Sequence, residues 1–287
     1  MHKIDLSAGM ADLLSQQQSG TLSEGCYRGD DGLEYCFVCH QRRQKRQDIF
    51  GTVATVRVMC RCQIEQRKER EQKERIHEAK ARIVRLRKAG ITDPAYLKHR
   101  FERDDAPESM PAKVARAYVA NWPKMREGGH GLLFCGSVGT GKSFYACCIA
   151  NALLDSGVPV LVTNTIKLID KLHTLNFDEA KSGFIGGLAQ NHLIVIDDVG
   201  AEYDSNHNTA QLFNVIDFLY RSEMPVILTS NYTLNELINP GSVGKNRIYD
   251  RITERCQVVR LEGESRRKAS MMERREQMEK LLGISLD

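Results

Sequence analysis

Eight consecutive residues, Gly136, Ser137, Val138, Gly139, Thr140, Gly141, Lys142 and Ser143, read G-x-x-x-x-G-K-S. Glycines let a backbone close around anionic oxygens at φ values that side chains forbid. A helix starting at the lysine points its unpaired N–H groups and its positive dipole end at the same anion. The lysine then reaches the β- and γ-phosphates of ATP, and the serine hydroxyl holds Mg²⁺. The flanks fit this chemistry. Apolar Leu132, Leu133, Phe134 and Cys135 precede the loop, and the helix-compatible run 144–154 follows it. Strand, glycine loop and helix form the setting that a phosphate loop requires.

A second group lies downstream. Leu193, Ile194, Val195 and Ile196 make a buried-strand pattern that ends in Asp197 and Asp198. Ligands of open α/β sheets sit at the carboxyl ends of strands, where these two carboxylates emerge. Asp197 is the candidate for the Mg²⁺ shell and Asp198 for polarising the attacking water. Another apolar strand, 226–229, ends in Ser230 and Asn231, and Asn231 is placed to contact the γ-phosphate or the water. Arg247 and Arg251 stand four apart on one helix face. There they either pair with Asp250 on a surface helix or offer an arginine to a neighbouring subunit's phosphate. Gly263, Glu264, Ser265, Arg266 and Arg267 follow the last strand, and one of these arginines is placed to reach back to the phosphates.

The third group is sulfur. Cys36 and Cys39, then Cys60 and Cys62, form two close pairs twenty residues apart, the spacing of a tetrahedral Zn²⁺ site. Each pair is expected on a tight turn, with a hairpin between them whose second strand covers 52–58. About forty residues build little core, so thiolate–zinc bonds would replace it. Four cysteines close the metal shell, which points to a structural site. Cys26 and His40 are alternative ligands. Cys135, Cys147, Cys148 and Cys256 lie in or beside apolar elements and read as buried thiols.

The elements that must position these groups follow from periodicity and punctuation. Residues 1–25 are polar, with a short amphipathic pattern at 4–14. A helix is expected over 63–88, free of Pro and Gly and rich in Glu, Lys, Arg and Gln. A helix starting at 92–94, a loop at 104–110 and a helical run at 111–125 come next. Strands at 131–135, 158–163, 193–196, 226–229 and 257–261 alternate with helices, which implies a parallel sheet covered on both faces. A charged helix carries the chain to its end. The expected organisation is an N-terminal region with a zinc module at 1–62, a basic connecting helix at 63–90 and an ATPase domain at 91–287.

The 287 residues carry a formal charge of +4, yet 41–88 hold sixteen Lys/Arg against six Asp/Glu. That basic segment is either a nucleic-acid contact or a solvated helix. No apolar run is long enough to span a bilayer, and no signal pattern opens the sequence. A cytoplasmic protein without a membrane partner is expected, and its cysteines then read as ligands or buried thiols rather than disulfides.

Taken together, 136–143, 193–198, Asn231, the R-I-Y-D-R-I run and the G-E-S-R-R run resemble the AAA+ ATPases. Within them they look like the DnaC/DnaI helicase loaders and the related IstB transposition helpers. The resemblance covers about 91–270. It implies an α/β fold with a parallel sheet in 5-1-4-3-2 order. Arg251 matches the arginine-finger position, with Arg247 as the alternative, while Arg267 matches the sensor-2 arginine and Asn231 sensor 1. It further implies ATP-dependent self-association, single-stranded DNA binding by the ATPase domain, and an N-terminal region that grips a replicative hexameric DNA helicase. Asp198 stands where many relatives carry Glu, so slow hydrolysis is expected. The segment 166–190, where this clade places a DNA-contacting helix, is poor in basic residues. A helicase loader is the favoured reading. A transposase helper and a zinc-stabilised nucleic-acid-binding adaptor are the alternatives.

Overall fold

The structure is a computed structural model. It describes residues 22–200, 205–239, 243–263 and 265–285, without the side chains at 243, 267–270 and 273. The amphipathic pattern at 4–14 lies outside the described residues. The chain divides into two compact units, 1–78 and 79–287.

In the first unit, β1 (Cys26–Arg28) pairs antiparallel with β2 (Glu34–Cys36), and β3 (Gln44–Ile49) with β4 (Thr52–Arg57). The hairpin expected between the cysteine pairs is therefore present. The chain then enters α1 (Arg61–Gly90), a helix of 30 residues and about 45 Å in length. Arg61–Glu65 and Arg67–Glu71 ion pairs, four residues apart, brace its exposed surface. From Ile64 to Arg82 every side chain of α1 is exposed. The second cysteine pair was expected on a tight turn; instead Cys62 already lies in the first turn of α1.

The second unit departs from two expectations before its sheet begins. In place of a helix at 92–94 there are two short 3-10 turns, Pro94–Lys98 and Phe101–Arg103. The Asp93 carboxylate caps the first by accepting from the Ala95 N–H at 2.9 Å. The Tyr96 carbonyl accepts the His99 N–H at 3.3 Å in the 3-10 pattern, and the carbonyls of Tyr96 and His99 both accept from the Asn151 side chain, at 2.9 Å each, in place of an α-helical ladder. The run expected over 111–125 is two helices, α2 (Met110–Ala120) and α3 (Trp122–Glu127). Asn121 breaks the run, and Pro123 sits in the first turn of α3, where its missing N–H costs nothing.

Five parallel strands follow: β5 (Gly131–Gly136), β6 (Val160–Asn164), β7 (Leu193–Asp197), β8 (Val226–Ser230) and β9 (Cys256–Leu261). Their order is β6-β7-β8-β5-β9. Counted from the other edge, that is the expected 5-1-4-3-2. All five residues of β7 and of β8 are buried, as strands covered on both faces must be. On β5 the alternation divides the core. Leu132 and Phe134 join α2 and α4 (Lys142–Asp155) on one face, through Ala112, Ala115, Tyr145 and Ile149. Leu133 and Cys135 face the other cluster. Its helices include α5 (Thr165–His173), α7 (Asn206–Arg221) and α9 (Val243–Arg255), by way of Leu168, Leu212 and Ile248. The remaining helices are α6 (Asp178–Gly187), α8 (Leu234–Ile238) and α10 (Arg266–Leu282). No described helix is long and apolar enough to cross a membrane.

Asn151, 1% exposed, ties the segment 91–105 to α4. Its amide donates to the carbonyls of Tyr96, His99 and Cys147. Asn151→Ala leaves the His99 carbonyl without its Asn151 donor and the Tyr96 carbonyl with only the His99 N–H, so urea unfolding should show a loss of about 1–3 kcal/mol. A loss under about 0.5 kcal/mol, the range of an ordinary surface change, would mean that this clamp contributes little.

Candidate nucleotide site and cysteine cluster

The phosphate loop runs from the end of β5 into α4. Gly139 has φ +87, and a Cβ there would overlap the Ser265 hydroxyl, so the loop lies flush against the start of α10. The Thr140 hydroxyl donates to the Ser137 carbonyl at 2.9 Å, which tightens the turn. Lys142 is 6% exposed, and its ammonium donates to the carbonyls of Gly136 and Ser137 at 3.0 and 2.7 Å. A cleft of about 480 Å³ opens over this loop, within the range of small-molecule sites. Val138, Gly139, Gly141, Lys142 and Ser143 line it, together with Asp197, Asp198 and Asn231. The structure thus brings the glycine loop, both candidate carboxylates and the candidate sensor into one cleft.

The carboxylates are held by neighbours that the sequence reading did not single out. Thr229, 1% exposed, donates its hydroxyl to Asp197 Oδ1 at 2.7 Å and accepts the Asp198 backbone N–H at 2.8 Å. Tyr96 donates its hydroxyl to Asp197 Oδ2 at 3.1 Å. Burial, and next the Asp197 charge, push the Tyr96 phenol well above its ordinary pKa, so it stays protonated as a donor. Asp198 accepts from Asn231 Nδ2 at 2.6 Å. Its φ is +60, a left-handed conformation in which Asp is several-fold enriched. That backbone gives a physical reason for Asp at this position.

The arginines divide. Arg266 lines the cleft: its guanidinium donates to Asp105 at 2.6 Å and to the Tyr145 hydroxyl at 2.9 Å, and its backbone N–H donates to the Gly139 carbonyl at 2.9 Å. Arg103 and His99 line it too, brought in by the segment 91–105. Arg267 starts α10 beside Arg266, but its side chain lies outside the described residues. Arg251 is not among the cleft residues. It pairs with Asp217 at 2.8 Å and lies over the Phe213 ring at 4.6 Å. Arg247, one turn earlier on α9, is exposed and lines a separate groove with Asp250.

The four cysteines expected to hold zinc converge. The Sγ atoms of Cys36, Cys39, Cys60 and Cys62 all lie within 4.8 Å of one another. A zinc ion bonded to four thiolates at about 2.3 Å sets its sulfurs about 3.8 Å apart, so the cluster fits that ion. Backbone N–H groups also turn toward the sulfurs. Those of Cys39 and Val38 pull the Cys36 thiol down, and chiefly that of Gln41 pulls Cys39 down to about 6. Burial pushes Cys60 up, and its hydrogen bond to Cys39 pushes Cys62 up to about 12. Cys60 stands immediately before α1, and the Gln63 N–H turned toward its sulfur comes from the helix's first turn. The helix start thereby does for C-x-C what a second turn would do for C-x-x-C. Cys26 and His40 stay outside the cluster: the Cys26 thiol donates to the Glu24 carbonyl, and His40 Nδ1 pairs with the Tyr27 hydroxyl at 3.2 Å. Cys135, Cys147, Cys148 and Cys256 are buried thiols, all pushed up by burial, Cys256 to about 12.

The sequence profile of the IstB-like ATP binding protein family matches residues 57–274. A putative insertion sequence ATP-binding protein of Sinorhizobium fredii is 28% identical over 207 residues, which cover 71% of this chain and 67% of that protein. The replicative helicase loader DnaC of Escherichia coli is 25% identical over 107 residues, 37% of this chain and 44% of the loader. The crystal structure of the DnaC helicase loader matches with a TM-score of 0.51 at 23% identity, over 59% of this chain and 100% of that one. It shows a shared fold.

Arg266→Ala should weaken binding of a fluorescent ATP analogue about tenfold, with Arg267→Ala weaker in effect; the reverse ranking would return the role to Arg267. Cys60→Ser should release the metal, read as loss of one zinc per chain in a dye assay, while ATP binding stays intact. Wild-type protein purified without zinc, and folded over 22–78 by amide exchange, would remove zinc from the account.

Proposed function

The chain belongs to the IstB-like ATP binding protein family, and on that premise we propose that it is an ATP-switched loader of a replicative hexameric helicase onto single-stranded DNA. The family and the fold make it a AAA+ ATPase. In this reading the phosphate loop binds ATP, with Lys142 against the β- and γ-phosphates and Ser143 and Asp197 around Mg²⁺. Asp198, held by Asn231, orients the attacking water, and Arg266 neutralises phosphate charge. Arg251, outside its own cleft and steadied by Asp217, serves a neighbouring copy's site, so ATP promotes self-association. Such a switch works only through different affinities of the ATP and post-hydrolysis states for the partner.

The observation that carries the loader reading is the division of labour along the chain. A cysteine-clustered unit with its own hairpins precedes the ATPase unit, and the 30-residue helix α1 runs on from it. A separate unit of this kind suits a protein that must hold a partner while its ATPase changes state. A second reading, the transposase helper, is favoured by the insertion-sequence relative, whose match covers the larger share of this chain.

The purified chain should form a complex of defined mass with its host's hexameric helicase in ATP. Removal of 1–78 should abolish the complex, and Lys142→Ala should reduce it at least tenfold. No complex in any nucleotide state, together with ATP-dependent binding to duplex DNA and a transposase, would replace the loader reading with the helper.

A further inference from the structure

The turn that joins β3 to β4 is built against its own sequence preference. Ile49 and Thr52 pair directly, so Phe50 and Gly51 are a two-residue loop. Their φ values are +53 and +84. Two positive φ values in such a loop belong to the mirror-image turn that favours Asn-Gly or Gly-Gly. Gly51 meets that demand, and the Asp48 carboxylate secures the loop by accepting the Gly51 N–H at 2.7 Å. Phe50 does not meet it. A bulky side chain in the left-handed region is strained, and this one gains nothing from burial, since it is 97% exposed. A strained, solvated aromatic held at a hairpin tip points to a task outside folding.

The strands behind the tip name the chemistry. From 41 to 61 stand six Lys/Arg and a single acid, Asp48, and that acid is already engaged in the turn. The register puts Arg46 and Arg57 on one face of the ribbon and Lys45 on the other, and all three are exposed. A basic ribbon carrying an exposed aromatic ring matches a polyanion whose bases are free to stack. We propose that the β3–β4 hairpin is a single-stranded nucleic-acid contact, with Phe50 stacking on a base and Arg46 and Arg57 tracking the phosphates. Duplex hides the base faces that Phe50 would use, so single strands are preferred. The contact rests on the first unit alone and stands whether or not the loader reading does.

The test uses the full zinc-loaded chain without nucleotide, so that ATP-driven assembly adds nothing, and a fluorescein-labelled dT20 followed by anisotropy. Phe50→Asn suits the left-handed turn and so preserves the fold, checked by zinc content and melting temperature. It should weaken binding about tenfold, while Phe50→Trp keeps it, as expected of base stacking. Arg46→Ala and Arg57→Ala should each lower the slope of log affinity against log salt by about 0.7. Equal binding by wild type and Phe50→Asn, or no binding by wild type, overturns the proposal. If Phe50→Asn binds dT20 normally but loses the helicase complex, the tip is a protein contact and the proposal falls.

Discussion

The ATPase unit is arranged around a carboxylate that the sheet delivers into a nearly dry place. Asp197 ends a strand whose five residues are all buried, and it is itself 8% exposed. A buried carboxylate without hydrogen-bond donors is costly enough to unfold a strand end. Two donors prevent this, one to each oxygen: Thr229 from the neighbouring strand and Tyr96 from the segment ahead of the sheet. Thr229 also takes the Asp198 N–H, so one hydroxyl fixes both acidic residues relative to β8. The parallel pairing of β7 with β8 brings Thr229 into reach, and sequence order alone would not.

Tyr96 makes the candidate nucleotide cleft depend on chain that precedes the domain's first strand. Its backbone is clamped by Asn151 on the helix that follows the phosphate loop. The same segment supplies His99, Arg103 and Asp105 to the cleft, and Asp105 engages Arg266 from the far end of the domain. The cleft is therefore closed by both flanks of the core, with α10 hydrogen-bonded to Gly139 on one side and the 91–105 segment on the other. A ligand that drew Asp197 or Arg266 to itself would loosen contacts on both flanks, which is how a local charge becomes a longer-range signal.

What was legible in the sequence is what local spacing fixes. The glycine loop, the apolar strand before Asp197 and the cysteine pairs each fit in a short window, and the strand order followed once the motif set was matched to its family. Thr229 and Tyr96 were not singled out, and Arg266 was not separated from Arg267, because these contacts span more than thirty residues of chain. Thr229 reads as one more β-branched strand residue, and Tyr96 as one more aromatic near a proline. The 3-10 turns at 94–103 escaped for a related reason. Proline and a capping aspartate announce a helix start equally well, while the turn ends at an extended His99 whose carbonyl is taken by the distant Asn151 amide. At α2 and α3 the signal was available, since Pro123 stands inside the expected run.

The first unit shows the opposite balance between burial and bonding. Its buried apolar side chains, among the described residues, are Leu33 and three cysteines, Cys26, Cys36 and Cys60. One leucine cannot offset the entropy of ordering about forty residues, which runs to tens of kcal/mol. Hydrogen bonds within two short hairpins do not close that gap, because each exchanges with water at a net of about 1 kcal/mol. Four thiolates on one metal would narrow it, since a structural zinc contributes about 10–16 kcal/mol in small domains. A metal held by these cysteines would free the surface from the demands of a core. That freedom would let the β3–β4 ribbon expose both faces, carry arginine where a larger domain would bury valine, and hold Phe50 out in water.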